Sequence, residues 1–229
     1  MRLLLAVATL LAISGAASAG PCNTIFTQTR SYGPSTPNYT QAMTFDQYTG
    51  FLADVCSIKV TLQLQISGGF LGVDNDGIDP ATVTVQLGAT TSISSNDVVL
   101  LDNAFQPVTG TASAFTGSMF NLAGDDGDGP NNVVLDPPDG ATHLGGNDSD
   151  MRMGFINPLF WGGFVGFGTY DIIATAQQIL DFGSVGGVEG AFSPVLASGT
   201  VTVEMLVPEP TTMALLALGA VAALRRRRT

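Results

Sequence analysis

Cys56-Ser57-Ile58-Lys59-Val60-Thr61-Leu62-Gln63-Leu64-Gln65-Ile66-Ser67 alternates without a break. Every even position from 56 to 66 is apolar and every odd position is polar. Successive side chains of a strand point to opposite faces, so period two over this length reads as a half-buried β-strand. The even face, Cys56 included, is expected inside. Gly68-Gly69 ends the run.

The pattern recurs on both sides. Thr82 to Leu87 places Val83, Val85 and Leu87 inward, and Thr200 to Met205 places Val201, Val203 and Met205 inward. Less regular candidates are Thr24 to Thr29, Asp97 to Leu101, Thr111 to Phe120, Asn132 to Leu135 and Thr169 to Leu180. Their Thr and Val content suits a pleated surface. Val73-Asp74-Asn75-Asp76-Gly77, Gly124 to Pro130 and Asp136-Pro137-Pro138-Asp139-Gly140 supply turn chemistry between the runs. No long segment keeps a 3.6-residue period. The expectation is an all-β fold, an antiparallel β-sandwich of roughly eight strands.

The two ends differ from this body. Residues 1–19 open with Arg2, continue through an apolar run from Leu3 to Ile13, and close on Ala17-Ser18-Ala19. That layout is a secretory signal peptide, and the mature chain is expected to begin near Gly20. Residues 20–206 form the expected β-domain and residues 207–229 a distinct tail. Between Gly20 and Leu206 there are three basic residues, Arg30, Lys59 and Arg152, against eighteen acidic ones, a net charge of −15. Such a body repels nucleic acid and anionic headgroups, so no nucleic-acid partner is expected. Export puts Cys22 and Cys56 in an oxidising compartment. A disulfide between them is expected, two buried thiols being the alternative.

The tail runs Pro208-Glu209-Pro210, then fourteen mostly apolar residues from Thr211 to Leu224, then Arg225, Arg226, Arg227 and Arg228. As a helix the apolar part would reach about 21 Å, short of a ~30 Å hydrocarbon core. It suits a brief hold in a membrane, with the arginines cytoplasmic and the body outside. The ordered triple of motif, apolar segment and basic cluster resembles the PEP-CTERM sorting signal. The resemblance implies a Gram-negative host whose inner membrane is the one that holds the tail, an exosortase that cleaves near Pro208-Glu209-Pro210, and delivery to the cell surface or an exopolysaccharide matrix. Within the body, Phe45 to Leu52, Phe164 to Asp171 and Ala197 to Val203 resemble the choice-of-anchor E domain. The close departs from that family, reading Val201-Thr202-Val203-Glu204-Met205-Leu206 in place of a Tyr-bearing strand. This likeness implies a surface β-domain.

Three sets of residues bear on chemistry. Asp74, Asp76 and Asp79, with Asp125, Asp126 and Asp128, offer hard oxygen ligands around glycines, as Ca²⁺ requires. They do not fit the EF-hand register, and Asp side chains that cap tight turns are the competing reading. Asp148 and Asp150 are candidates from a third loop. Trp161, in Phe160 to Phe167, is a candidate sugar-stacking platform, with Phe164 and Phe167 expected in the core. His143 is expected in a loop with no catalytic role, since no G-x-S-x-G elbow accompanies it. A carboxylate pair for glycan hydrolysis would have to draw on Glu189 and Glu204 or on the aspartates. Asn38-Tyr39-Thr40 and Asn147-Asp148-Ser149 match the glycosylation acceptor pattern. The leading expectation is an exported, non-catalytic surface or matrix protein with a structural or adhesive role. A calcium-assisted carbohydrate-binding module stands second, and an extracellular glycan-active enzyme third.

Overall fold

The computed structural model describes residues 22–127 and 133–208. The expected signal peptide, Asp128, Glu209, Pro210, the apolar tail segment and Arg225 to Arg228 lie outside the described residues. Eleven strands are present among them: β1 (Cys22–Ser35), β2 (Tyr39–Asp46), β3 (Ser57–Ser67), β4 (Phe70–Asn75), β5 (Ala81–Ser94), β6 (Ala112–Leu122), β7 (Gly140–Leu144), β8 (Asp148–Phe155), β9 (Thr169–Asp181), β10 (Val188–Ser193) and β11 (Leu196–Pro208). Two short 3-10 turns, Leu52–Asp54 and Pro158–Phe164, are the helical elements there.

The strands form three sheets, ordered β1-β11-β3-β8, β10-β4-β7 and β2-β9-β5-β6. Every paired neighbour is antiparallel. The quoted strand is β3, central in its sheet between β11 and β8. Ile58, Val60, Leu62, Leu64 and Ile66 are all buried. They share one core with Val83, Val85, Leu87 and Ala89 of β5, Tyr170, Ile172, Ala174 and Ala176 of β9, and Val201, Val203 and Met205 of β11. Two sheets, each with one dry face, therefore close on each other as a β-sandwich.

Gly68 and Gly69 both have positive φ, 68° and 88°. Glycine takes that conformation without steric cost, which lets the chain leave β3 and enter β4 in the neighbouring sheet. At Gly199, in β11, a Cβ would collide with the Tyr32 hydroxyl and the Gln63 carbonyl. The Tyr32 ring crosses β11 there and its hydroxyl donates to the Gln63 carbonyl at 2.7 Å. Burial pushes that phenol up to about 12, so it stays a neutral donor at physiological pH.

Two sequence expectations require correction. Asp97 to Leu101 is not a strand: Leu101 makes only an isolated bridge to Pro107. Val133 to Leu135 is irregular as well, because the Val134 amide donates to the Asp74 carboxylate at 2.7 Å rather than to a neighbouring strand. The strand total exceeds the expected one through β2, β4, β7, β8 and β10, which carry weak or no alternation.

Side chains join the edges of the two large sheets. β6 and β8 are edge strands of different sheets. Asp148 Oδ2 of β8 accepts from the Phe115 amide of β6 at 2.9 Å, and Asp150 Oδ2 accepts from the Ser113 amide at 3.0 Å. Exposed edge amides invite pairing with another chain, and here two carboxylates occupy them. Asp148 and Asp150 are thus strand residues committed to backbone donors, which corrects their assignment to a ligand loop. Burial raises the Asp150 carboxyl, but the Ser113 amide and Arg152 outweigh it and hold it below the usual carboxylate range. Asp150→Ala is expected to cost about 1–2 kcal/mol at pH 7 by leaving the Ser113 amide unpaired. Because the folded-state value is depressed, that stabilisation is present above the unfolded carboxyl range. It is lost as pH falls through the folded value. Urea titrations at neutral and acidic pH should show the difference between wild type and variant shrinking on acidification.

Candidate functional site

The tail leaves the body from β11. In the β1–β11 ladder Cys22 lies opposite Pro208, and Ile25 lies opposite Leu206. Cys22 is joined to Cys56 by a disulfide, with Cα atoms 6.4 Å apart. The Cys56 amide donates to the Leu206 carbonyl at 2.9 Å. The bond thus ties the start of β1 to the segment entering β3, both beside the last residues of β11. The tail motif begins where three strands are held in register.

The acidic loops lie at the other end of the sandwich. β5 starts beside them at Ala81 and ends at Ser94. The next residue, Ser95, donates from its hydroxyl to the Asp171 carbonyl, near the loops that flank the tail exit. At the acidic end, Asn75 organises the backbone. Its Oδ1 accepts from the Gly77 amide, and its Nδ2 donates to the carbonyls of Asp79 and Ala123. The Asp125 amide donates to the Gly77 carbonyl, and the Ala123 amide to that of Pro138. The Asp126 amide donates to Asp139 Oδ2 at 2.8 Å. Three loops, 75–80, 123–127 and 136–140, therefore converge. At Gly124 a Cβ would strike the Ile78 backbone of the adjoining loop, so that approach needs glycine, and at Gly140 it would strike the backbone of Val134 to Asp136 just before it in the chain.

Of the six aspartates expected as ligands, Asp74 is not in an exposed loop. It belongs to β4 and is 1% exposed. Asp76 is half-buried, and the Oδ1 atoms of both Asp74 and Asp76 are buried without a hydrogen-bond partner. Asp79 is exposed and enters the network through its backbone carbonyl. Asp125 and Asp126 sit with Asp139, which is 3% exposed, and one carboxylate oxygen from each lies within 4.8 Å of the others. Sequence reading missed Asp139, since Asp136 to Gly140 looks like an ordinary turn. Burial, and then the neighbouring Asp76 and Asp139 charges, raise the Asp74 carboxyl, with the Val134 amide pulling the other way.

His143 lies in β7 rather than in a loop. Its Nδ1 is 2.8 Å from the Ser118 hydroxyl and its Nε2 is 3.0 Å from that of Thr116, both on β6. Glu204 forms an ion pair with Lys59 across β11 and β3. Glu189 lies on β10 of another sheet. Trp161 is half-buried against the core, and its indole N–H donates to the Ile156 carbonyl at 2.9 Å. Phe164 is fully buried, whereas Phe167 is 93% exposed, which corrects its placement in the core. An open polar cleft of about 430 Å³ is lined by Gln65, Ser67, Asn147, Ser149 and Ser198 among others. Among the described residues no helix is long and apolar enough to cross a membrane.

No curated protein matches the chain. Similar solved structures include a chain of Desmodium yellow mottle tymovirus, 9% identical with a TM-score of 0.16, covering 81% of this chain and 89% of that one. Another is the VP2 subviral particle of infectious bursal disease virus, 14% identical with a TM-score of 0.13, covering 90% of this chain and 50% of that one. The fold rests on the strand pairing above, not on these likenesses. Residues 206–228 match the PEP-CTERM protein-sorting motif. That motif marks a protein exported in a Gram-negative bacterium, recognised by an exosortase and destined for the surface.

Proposed function

We propose that this chain is a non-catalytic structural or adhesive protein of the cell surface or exopolysaccharide matrix, held in the inner membrane by its tail until an exosortase cleaves near Pro208-Glu209-Pro210. The observation that carries this reading is the sorting motif beginning within the last strand of an all-β body. The likeness to the choice-of-anchor E domain belongs to the same proposal. Its non-catalytic character draws support from the engagement of His143, whose two ring nitrogens each meet a hydroxyl. The separation of Glu189 and Glu204 onto different sheets points the same way. A body this acidic stays soluble and resists nonspecific adsorption to anionic surfaces. Neutral glycans of a matrix are the partner class that this charge tolerates.

Replacing Pro208, Glu209 and Pro210 together by alanine in the native host tests the proposal. The variant should vanish from the matrix and culture medium and accumulate, uncleaved, in the inner-membrane fraction. Unchanged delivery of the variant to the matrix would contradict it.

A further inference from the structure

The sandwich has two unlike poles. β11 ends at one of them, and the register brings the start of β3, the end of β8, the end of β2, the start of β9 and the end of β5 to the same pole. Leu206 lies opposite Ser57, Phe155 opposite Lys59, Asp46 opposite Thr169 and Ser94 opposite Ile173. The Gln28 side chain, near the start of β1, donates to the Asp46 carbonyl and accepts from the Asp46 amide, so the two large sheets end together. Three loops, 47–56, 95–111 and 156–168, therefore flank the tail exit. They expose Phe51, Leu52, Phe105, Leu159 and Phe167, with Phe51 at 78% and Leu159 at 77%. The loops of the other pole carry Asp76, Asp79, Asp125, Asp126 and Asp136. A single exposed apolar residue needs no explanation, but several gathered on the loops of one pole mark an interaction surface.

Phe105 is an independent observation. Its φ is 58°, in the left-handed region where a bulky residue is an outlier and glycine is at ease. Asp102 holds the turn by accepting from the Ala104 and Gln106 amides at 2.8 and 2.9 Å. A strained backbone therefore presents an aromatic ring to solvent, a pattern of functional sites. That ring lies edge-on to Phe160 at 6.2 Å, beside Leu159. The last described residue is Pro208, and the apolar part of the tail starts at Thr211. Three residues reach at most about 10 Å, so the surface that receives that segment lies against these loops.

We propose that the pole around the tail exit is a lipid-facing surface. Phe51, Leu52, Phe105, Leu159 and Phe167 enter the headgroup region of the membrane that holds the tail, and the acidic pole points away from it. The inference rests on the reading that the tail is held in a membrane before cleavage. Aromatic and leucine side chains suit that depth. Carboxylates at this pole have local partners: Asp97 accepts from the Asp171 amide, and Asp46 pairs with Arg30. They keep their charge, so a zwitterionic phospholipid surface fits and an anionic one does not. The contact orients the body on the bilayer until the tail is cut.

The intact chain from Gly20 onward is reconstituted into phosphatidylcholine vesicles, and flotation reports whether the tail holds it. Trp161 is the single tryptophan. In a Trp161→Phe background, Phe167→Trp and Ile78→Trp each put the indole on an exposed loop, one at either pole. With bromine on the acyl chains to quench it, Phe167→Trp should emit further to the blue and lose roughly half its intensity, as a ring about 5–10 Å into the headgroup–acyl boundary would. Ile78→Trp should keep the emission of an indole in water. Wild-type Trp161, on the turn that carries Leu159, should show a weaker loss, a readout that needs no substitution. A chain that floats while Phe167→Trp and Trp161 stay unquenched overturns the proposal and leaves the anchoring intact. A chain that fails to float removes both. Equal quenching at the two poles would overturn the orientation, and a blue shift without quenching by bromine would put the pole against a second copy of the chain instead of lipid.

Discussion

Replacing Cys22 and Cys56 together by serine is expected to lower stability by roughly 4 kcal/mol. The bond closes a loop of sequence separation 34, and on the chain-entropy account a loop of that size restricts the unfolded ensemble by about this amount. For a chain of this length the loss corresponds to a fall in melting temperature of roughly 10 °C. The consequence is local as well. Cys22 is the first residue of β1 and lies opposite Pro208, so without the bond a terminal strand frays beside the tail exit. The unfolding midpoint in urea measures the global loss. Amide exchange along Ile25 to Gln28 measures the fraying. Reductant should reproduce both effects in wild type. A midpoint unchanged by the double substitution would mean that β-pairing alone holds the terminus.

Phe164→Ala is expected to cost about 3–5 kcal/mol, the range for removing a fully buried aromatic ring. Phe164 lies edge-on to Tyr170 at 5.1 Å, and Tyr170 stacks on Phe45 at 5.6 Å. The ring therefore anchors a three-aromatic cluster where the 3-10 turn Pro158–Phe164 hands the chain towards β9. Phe167→Ala, three residues on, should change stability by no more than about 0.5 kcal/mol, since that ring is exposed. The pair of variants, compared by thermal melting, separates a packing role from a generic aromatic effect. Equal losses at the two positions would refute this account of the turn.

These two phenylalanines show where sequence patterning stops. Phe164 and Phe167 have the same residue type in the same Gly-rich run, and nothing local distinguishes the buried ring from the exposed one. Strands with one dry and one wet face were readable: β3, β5 and β11 bury the positions that the alternation marks. β4 was not, because Leu71 to Asn75 are all buried, which removes the period-two signal, and Asp74-Asn75 imitates a turn. β8 failed for the opposite reason, with most of its side chains solvent-facing. Asp97 to Leu101 has the composition of a strand but lacks a ladder partner. In the acidic cluster, Asp125 and Asp126 stand out in the sequence by composition alone. Asp139 does not, since it reaches them only through the pairing of β4 with β7, which sets Asp74 opposite Gly140. The tail, by contrast, is read by order and chemistry along the chain, and needs no tertiary structure to be recognised.

The most direct test of the central claim is the intact mass of the protein recovered from the surface or medium of its native host. The account predicts a chain that begins near Gly20, carries the Cys22–Cys56 bond and ends close to Pro208-Glu209-Pro210. A mass that still includes Arg225 to Arg228 would contradict it, making the tail a retained anchor and the body a membrane-tethered protein.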